Sequence, residues 1–479
     1  MIKLWLFAYK SAKCALHDDP AHCAREIIRK SYFAGKYDRR WGGRVQRLIA
    51  FAAVLIPGGA MAQANLQGSW QWQGQTPGQL EQETGFGIGP GETIEHDSNL
   101  LRASGQTGSP VVANTLFNTD LAGWYHQIFG REDLSLAATV GRVHYLHSIV
   151  SAQTETVGGV VQTVNVPQDF DYTAEDLRAG LKSNLAGDIN VNLDASRTTR
   201  MAQFADTGTA IKNVIATNAA DGLIDVPVVA DFRAELGGNA HQNRNSSGFF
   251  STQDLNVYEV DGGARYSPTT GNHVDLLARS ANGIYPNGSP SVFISPGYHD
   301  KGVDLRVDWT FSGASRALGH AGYVKRTNDV LETSKGPLDR DFAGPIVDLT
   351  YIWQTTSATK LTFYGSRQVG AAGDDSYLSG VTRDLKFTPS WQPTAKIDVG
   401  AYIESIHRDY FTNVYAIVTD TPPGTTRVDN SVNYGLSLVW NPTRWLQTAL
   451  ELYHEHRDST LSEWDYRNNV VNLSLQTSF

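Results

Sequence analysis

Apolar and polar residues alternate through most of this chain, and the alternation limits the possible folds more than any other feature. In residues 303–311, valine, leucine, valine, tryptophan and phenylalanine occupy the odd positions, and aspartate, arginine, aspartate and threonine occupy the even ones. Residues 397–404 and 431–440 follow the same pattern. A period of two places apolar side chains on one face of a β-strand and polar side chains on the other. The chain is therefore predicted to be all-β, with two-faced strands.

One apolar run, residues 48–62, departs from this pattern. Arginines precede it at positions 39, 40, 44 and 47, and Ala60, Met61 and Ala62 end it. A basic segment, a short apolar core and an A-x-A site are typical of a secretory signal peptide. The run is too short for a membrane-spanning helix. We predict that residues 1–62 are a signal peptide with an over-extended start, cleaved between Ala62 and Gln63. Residues 63–84 are predicted to form a periplasmic lead-in or a small plug.

Charge and cysteine content exclude several classes of function. Cys14 and Cys23 are the two cysteines of the chain, and both precede the predicted cleavage site. The exported protein would therefore lack a disulfide framework and thiolate metal sites. The chain has 40 basic and 49 acidic residues, a net charge of −9. Removal of the basic leader would make it more acidic still, which argues against nucleic acid as a partner.

The C-terminal strand favours a membrane barrel over the soluble β-sandwich or propeller that alternation alone would also allow. Val471, Leu473, Leu475 and the terminal Phe479 share one face of this strand. A chain that ends on an aromatic residue aligned with its apolar face is typical of the assembly signal of outer-membrane barrels. Chain termini in soluble proteins usually fray, so a soluble fold gives no reason for this pattern.

Connection lengths and aromatic residues favour the same fold. Short turns are predicted at residues 267–269, 312–315, 355–357, 392–394 and 441–443, and longer polar loops at 282–297, 327–341 and 410–428. Outer-membrane barrels have short periplasmic turns and long external loops. An aromatic residue precedes each of these short turns, which predicts a periplasmic aromatic girdle. Its members are Tyr266, Trp309, Trp353, Trp391 and Trp440.

The number of connections predicts the number of strands. Nine long loops, centred near residues 105, 160, 210, 246, 290, 334, 372, 420 and 462, alternate with eight short turns. Residues 85–479 are therefore predicted to form a transmembrane up-and-down antiparallel β-barrel of about 18 strands with both termini in the periplasm. Sixteen strands is the fallback, because Pro227 and the Gly237-Gly238 pair blur the pattern between residues 221 and 244. The predicted location is the outer membrane of a Gram-negative bacterium.

The polar faces of these strands are predicted to line a water-filled lumen. The pore-lining candidates are Asp304, Arg306, Asp308, Asp348, Asp398, Tyr402, Glu404, Arg408, Glu451, Tyr453, Glu455 and Arg457. Such residues could instead only keep the lumen wet and pair across strands, each pair contributing roughly 0.2–1 kcal/mol.

No catalytic motif is present at a strand–helix junction, so the chain is predicted not to be an enzyme and to carry no cofactor. His454 and His456 flank Glu455. Two residues apart on a strand, their imidazoles would point the same way at the outer rim, so no metal site is predicted. Ser405 and His407 share a face, but a lipase would need a third member.

Over most of residues 85–479, the chain resembles the outer-membrane barrel family of exosortase-associated exopolysaccharide operons, the EpsL type of the β-barrel porin 2 group. The resemblance rests on residues 93–101, 305–309, 322–326, 389–396 and 466–479. It implies export of an exopolysaccharide chain across the outer membrane, together with a periplasmic polysaccharide-export protein. Residues 150–230 depart from the family pattern.

Other expected partners follow from the barrel itself: the barrel-assembly machinery, outer-membrane lipid and lipopolysaccharide. Two further functions stay open besides export. A general or solute-selective diffusion porin is the main alternative, because the lumen would be wide and of mixed charge. A structural or adhesive barrel acting through its loops is the third.

Overall fold

The structure is a computed structural model that describes residues 84–105, 111–157, 160–207, 210–268, 271–288, 297–329, 331–333, 336–338, 341–370, 377–413 and 427–479. The predicted signal peptide and nearly all of the predicted lead-in or plug lie outside these residues. Within the described ranges, no helix has the length and apolarity needed to cross a membrane.

Eighteen strands form one closed sheet within the described residues. They are Gly85–Asp97 (β1), Asn114–Phe129 (β2), Glu132–Tyr145 (β3), Tyr172–Leu185 (β6), Ile189–Met201 (β7), Val214–Val229 (β8), Phe232–Asn245 (β9), Leu255–Tyr266 (β10), His273–Ile284 (β11), Gly297–Ser312 (β12), Ser315–Asn328 (β13), Phe342–Gln354 (β16), Thr359–Gly370 (β17), Tyr377–Thr394 (β18), Ile397–Asn413 (β19), Val428–Thr443 (β20), Leu446–Ser459 (β21) and Tyr466–Thr477 (β22). Each pairs antiparallel with its neighbour along the chain, and β22 returns to pair with β1. The predicted 18-stranded up-and-down barrel is confirmed.

The hairpin that was hardest to predict is present. β8 and β9 pair from Ile215 to Phe232, and Pro227 lies at a shift in their register. A proline has no N–H to contribute to the ladder, so it is accommodated at an irregularity of this kind. This hairpin makes the count 18 rather than the fallback of 16.

Two small hairpins lie outside the barrel sheet. Ile149–Val157 (β4) pairs with Val160–Gln168 (β5), and Leu331–Thr333 (β14) pairs with Gly336–Leu338 (β15). Both belong to connections between barrel strands. Beyond these, the connections contain a 3-10 helix at Gly248–Gln253, another at Ser462–Trp464, and the single-turn helix Phe204–Thr207 (α1).

The connections at the two ends of the barrel differ in length. At one end, nine connections have six residues or more, and the longest runs from residue 146 to 171. At the other end, eight turns have six residues or fewer, and both ends of the barrel chain lie there. These are the nine loops and eight turns that the sequence predicts. We call the two ends the loop end and the turn end.

Two of the predicted turns were placed too early. β18 continues to Thr394 and β20 to Thr443, so the turns lie at residues 395–396 and 444–445 instead of 392–394 and 441–443. The register shifts between Trp391 and Thr394 and between Trp440 and Thr443. Each shift contains a proline, which ends regular pairing as a bulge without ending the strand.

The barrel closes where β22 meets β1. Beyond the end of β22, Phe479 exchanges two backbone hydrogen bonds with Ile88, at 3.0 and 3.1 Å. Its ring stacks on Trp445 at a centroid distance of 6.2 Å. Val471, Leu473 and Leu475 lie on the exposed face of β22. The last residue of the chain therefore extends the pairing that closes the barrel.

Deletion of Phe479 is expected to reduce the amount of assembled barrel, because it removes both hydrogen bonds and the stacked ring. The measurement is the heat-modifiable fraction of the protein in purified membranes. Phe479→Tyr is the matched control, since it keeps the backbone and the ring, and it should assemble normally. Equal assembly of the deletion variant and the parent chain would contradict the role assigned to this residue.

Candidate functional site

The strands present a polar face to the barrel interior and an apolar face to the outside. On β19 and β21, alternate residues are buried, among them Glu404, Glu451 and Glu455, while Ile403, Leu450 and Leu452 between them are exposed. All the pore-lining candidates lie on the inward face. The contacts across neighbouring strands show what each of these side chains touches.

One loop crosses the interior at the loop end. It connects β7 to β8 over residues 202–213 and contains α1. The carbonyl oxygen of Ala205 accepts a hydrogen bond of 2.9 Å from Nη2 of Arg457 on β21. Strands β6, β3, β2, β1 and β22 lie between β7 and β21 around the barrel wall. Since neighbouring strands are about 4.8 Å apart and β21 is six of the eighteen strands away from β7, this contact requires the loop to extend into the lumen. We call the described residues of this connection, 202–207 and 210–213, the crossing loop.

An apolar cluster holds the crossing loop against the wall. Phe204 is 7% exposed and packs with Phe170, whose ring centroid is 5.5 Å away. Tyr145 lies 6.1 Å from Phe170 on its other side, and Leu100, Val143 and Ile149 complete the cluster. Three connections at the loop end therefore share one core. Burial of a phenylalanine in such a cluster stabilises the loop by about 1.5–3 kcal/mol.

A hydrogen bond fixes the end of the crossing loop that precedes β8. Lys212 donates a hydrogen bond of 2.5 Å to the carbonyl oxygen of Asp171, which precedes β6. The carboxylate of Asp171 accepts hydrogen bonds from the His144 ring and from the backbone N–H of Tyr145. Although burial opposes the effect, these hydrogen bonds hold the pKa of Asp171 below its usual value. Asp171 therefore stays ionised and links the end of β3 to the start of β6.

Arg457 joins the crossing loop to β21, six strands away around the barrel wall. Besides Ala205, its guanidinium donates to the carbonyl oxygen of Trp464 at 2.8 Å and lies 3.7 Å from Asp429. The Cζ atom of Arg457 lies 4.5 Å from the centre of the Tyr466 ring. The side chain is 3% exposed. Charged hydrogen bonds in a site so shielded from water are stronger than those at a surface.

A second loop is fastened to the same wall. Arg102, in the connection after β1, lies 2.7 Å from Asp97 and 2.7 Å from Glu455. The side-chain amide of Asn99 holds the same loop by donating hydrogen bonds to the carbonyl oxygens of Ala103 and Arg467. Residues 98–105 thus cover part of the lumen beside the crossing loop.

These loops leave a cavity of about 630 Å³ inside the barrel. Its wall includes carboxylates, guanidinium groups and phenols from both sides of the barrel, such as Glu95, Asp176, Arg200 and Tyr172. Four of the pore-lining candidates contribute to it: Arg408, Tyr453, Glu455 and Arg457. The structure therefore brings these four together around one space. The other eight lie elsewhere on the inward face.

One side of the barrel, β8 to β13, has closely paired charges. Arg265 lies 2.7 Å from Asp275, 3.1 Å from Glu235 and 3.2 Å from Asp225. Arg306 pairs with Asp261 at 2.8 Å. Arg279 pairs with Glu259 at 2.9 Å and lies 3.5 Å from Asp304. Arg316 donates two hydrogen bonds to the carboxylate of Asp308. The predicted candidates Asp304, Arg306 and Asp308 are therefore members of an ion-pair network. On the next strand, Asp348 accepts a hydrogen bond from Tyr364.

The other side, β18 to β22 with β1, has an excess of carboxylates. Its inward-facing acids are Glu95, Asp97, Asp384, Asp398, Glu404, Asp429, Glu451 and Glu455, and its inward-facing cations are Lys386, Arg408 and Arg457. Adding Arg102 and Arg427 from the loops does not balance the charge. Glu404 contacts Lys386 at 3.1 Å and Asn433 at 2.9 Å. Oε2 of Glu451 has no hydrogen-bond partner among the described residues.

Tyr402 and Tyr453 are packed into this wall. They are 7% and 8% exposed and form a cluster with Val470. Nζ of Lys386 lies 4.8 Å from the centre of the Tyr402 ring. The greater part of each ring face is therefore already covered by protein.

The remaining candidates face outward. Tyr266, Trp309, Trp353, Trp391 and Trp440 lie on the outer face near the turn end, and the last three are about half exposed. His454 packs on Tyr434 at 5.0 Å and bonds to Asn469, and His456 lies 3.1 Å from Asp458. His407 bonds to Asn430 and lies 3.1 Å from Asp409 rather than contacting Ser405. No group of three metal-binding side chains occurs in the described part of the chain.

Sequence reasoning missed the loop residues of this site. Phe204, Ala205, Arg102 and Arg427 do not belong to an alternating pattern, so nothing marked them as inward. Arg427 stacks on Trp464 at 3.7 Å and pairs with Asp429 at 2.6 Å. The cue that was available is Met201 at the end of β7 followed by Phe204 and Ile211 in the connection, because a purely external loop would not need these large apolar side chains.

No family model matches this sequence, and no curated protein does. Solved structures with a similar fold include the outer membrane protein OpdK of Pseudomonas aeruginosa, with a TM-score of 0.44 and 11% identity over 82% of this chain and 99% of that one. OccK9 of the same organism has a TM-score of 0.44 and 12% identity over 83% and 99% of the two chains. OccAB2 of Acinetobacter baumannii has a TM-score of 0.42 and 11% identity over 82% and 97%.

Proposed function

We propose that this chain is an outer-membrane channel for diffusion of small polar solutes, with a preference for cations. The observation that carries the proposal is the crossing loop, which extends into the lumen from β7 to contact β21 and leaves a charged cavity beside it. A closed barrel with an open interior would pass large molecules, whereas a barrel narrowed by a fastened loop selects by size. The chain acts by conduction and needs no catalytic group.

The outer face supports placement in a membrane. Leu276, Leu385 and Leu436 are each more than 60% exposed on it. A soluble protein rarely exposes such residues in one continuous belt. Along β12, Lys301 and Trp309 are separated by eight residues, about 27 Å at 3.4 Å per residue. With a tilt of about 40° this is about 20 Å along the barrel axis, close to the apolar band of outer-membrane barrels.

The wall charges support the preference for cations. On β8 to β13, nine inward carboxylates face six arginines, and most of these carboxylates lie at hydrogen-bonding distance from an arginine. On β18 to β22 and β1, carboxylates outnumber cations, and Glu451 lacks an ion-pair partner among the described residues. The field within a narrow, charged passage concentrates ions of the opposite sign. Cations are therefore expected to enter the lumen more readily than anions.

Neutralising Glu404, Glu451 and Glu455 together as Gln is expected to move the selectivity towards anions. The change removes three negative charges and leaves Lys386 and Arg102 without these partners. The measurement is the reversal potential of single channels in a KCl gradient across a planar bilayer. Glu92→Gln is the control, because Glu92 lies on the outer face bonded to Thr119. An unchanged reversal potential in the triple variant would contradict the cation preference.

Export of an exopolysaccharide, which the family resemblance implies, remains a second proposal without support from the comparisons. A strain that lacks the gene distinguishes the two functions by its solute uptake and its surface polysaccharide. A diffusion channel predicts slower uptake of small solutes and normal surface polysaccharide. An export channel predicts loss of the polysaccharide and normal uptake.

The orientation and partners belong to the same proposal. The loop end would face the exterior and both ends of the barrel chain the periplasm, as the girdle residues at the turn end suggest. A signal peptide cleaved between Ala62 and Gln63 and the barrel-assembly machinery would deliver the chain. N-terminal sequencing of the protein from outer membranes tests the cleavage site, and a mature chain that retains Cys14 or Cys23 would contradict it.

A further inference from the structure

Two lysines face each other on the outside of the barrel, close to the loop end. Lys301 on β12 and Lys325 on β13 are directly paired in the antiparallel register, and both are exposed. Their neighbours in the same row are Ser280 on β11 and Ala343 on β16. Four adjacent strands therefore present a row that has two cations and no carboxylate.

Such an arrangement is unfavourable unless an anion offsets it. Directly opposed residues on one face of a sheet have Cβ atoms about 4.5–5.5 Å apart, and like charges there destabilise the pair. Neither ammonium has an ion-pair partner among the described residues. The next outward row towards the loops contains His299 and Thr327, and His299 is bonded to Asn282.

A comparable pair on the same barrel is offset from within the protein. Arg367 on β17 and Arg383 on β18 are also directly opposed on the outer face. Arg383, however, lies 2.7 Å from Asp409, and Arg367 donates to the carbonyl oxygen of Pro345. Among the described side chains, the lysine pair has no equivalent of Asp409. An anion from the surroundings would therefore offset the two charges, as Asp409 does for Arg383.

The surface below the lysines is apolar. One row further from the loops, Val303 is 54% exposed and Tyr323 is 51% exposed. The row after that presents Leu276 and Leu305, at 62% and 42% exposure. The outer face therefore changes from cationic to apolar within two residues along each strand. A ligand that matches it has a phosphate head and acyl chains that descend along the barrel.

We infer that Lys301 and Lys325 form a binding site for a phosphate group of a lipid A-type glycolipid in the surrounding leaflet. The phosphate lies between the two ammonium groups, and the acyl chains contact Val303, Tyr323, Leu276 and Leu305. The inference rests on the membrane placement made under the proposed function, but not on what the lumen conducts. Lysines that only extend their ammonium groups to the interfacial water would give no preference for this lipid.

The test compares the parent chain with Lys301→Gln/Lys325→Gln in mild detergent. Each protein is titrated with diphosphoryl lipid A, with dephosphorylated lipid A and with phosphatidylglycerol, and bound lipid is counted by native mass spectrometry. The double variant is expected to lose affinity for diphosphoryl lipid A on the order of 30-fold, from about fivefold per lysine. The parent chain should bind dephosphorylated lipid A and phosphatidylglycerol weakly, and millimolar inorganic phosphate should not displace the glycolipid.

Two controls separate this site from other effects. Lys360 on β17 faces the lumen, so Lys360→Gln should bind lipid A as the parent chain does. Lys301→Arg/Lys325→Arg keeps both charges and should retain the lipid. Equal affinity of the Gln double variant and the parent chain would overturn the inference, as would equal binding of phosphatidylglycerol. Single-channel conductance of the Gln double variant should be unchanged, so a failure here is distinguishable from a failure of the proposed channel function.

Discussion

Replacement of both Phe204 and Arg457 by alanine is expected to raise single-channel conductance several-fold. Phe204 anchors the crossing loop to the apolar cluster, and Arg457 on β21 holds it through the carbonyl oxygen of Ala205. When both contacts are lost, the loop is free to leave the lumen. The open cross-section of the channel then increases towards that of the whole barrel interior. Solutes too large for the parent channel should then be taken up.

The energies involved support an effect of this size. A buried Phe→Ala change costs about 3–5 kcal/mol, and loss of a hydrogen bond to a charged donor costs about 1.5–3 kcal/mol. Each 1.4 kcal/mol changes an equilibrium tenfold. Half of the summed loss, about 2–4 kcal/mol, would shift the equilibrium between the closed and open loop by roughly 40- to 700-fold towards the open loop. The barrel strands should not unfold, because neither side chain contributes to the pairing between strands.

Phe249→Ala is the matched control for this experiment. Phe249 also lies in a connection at the loop end, but it is 60% exposed. Its replacement should leave conductance and uptake unchanged. A Phe204→Ala/Arg457→Ala channel with the conductance of the parent chain would mean that the crossing loop does not limit permeation, and the proposed size selection would have to be abandoned.

The barrel was predictable from the sequence because its signals are local. Alternation sets the face of each residue within a strand, and connection lengths set the strand number. Trp309 and Glu451 could therefore be assigned to opposite faces without any knowledge of their neighbours. The errors at residues 392–394 and 441–443 have a local cause as well, since a proline next to a predicted turn can also lie in a bulge within the strand.

The crossing loop was not predictable because its contacts are remote. Ala205 and Arg457 are 252 positions apart in the sequence. Arg102 similarly meets Glu455 from the other end of the barrel chain. Nothing in the residues around Ala205 identifies this partner. The ion pairs of the barrel wall were not predictable for the same reason. The alternation along β12 shows that Arg306 faces inward, but it does not show that its partner is Asp261, two strands away.

The second large effect is expected at Gly89, where β1 meets the end of β22. A Cβ atom at this position would overlap the carbonyl oxygen of Thr477, which is backbone and cannot move aside as a flexible side chain can. Thr477 also bonds through its hydroxyl to the carbonyl oxygen of Pro90. The closure of the barrel therefore depends on the close approach that glycine allows at this position.

Gly89→Ala is accordingly expected to separate the ends of β1 and β22 and to lower both the yield and the thermal stability of the assembled barrel. Gly123→Ala on β2 is the matched control, because a Cβ there meets only the carbonyl oxygen of Gly87, at an ordinary 3.6 Å. Both changes add one methyl group to a strand glycine, so helix or strand propensity cannot explain a difference between them. The measurement is heat-modifiable mobility as a function of temperature for the two variants and the parent chain. If the Gly89→Ala and Gly123→Ala barrels unfold at the same temperature, the strands at the closure can shift to admit a side chain. In that case the contact between Gly89 and Thr477 does not determine how the barrel closes.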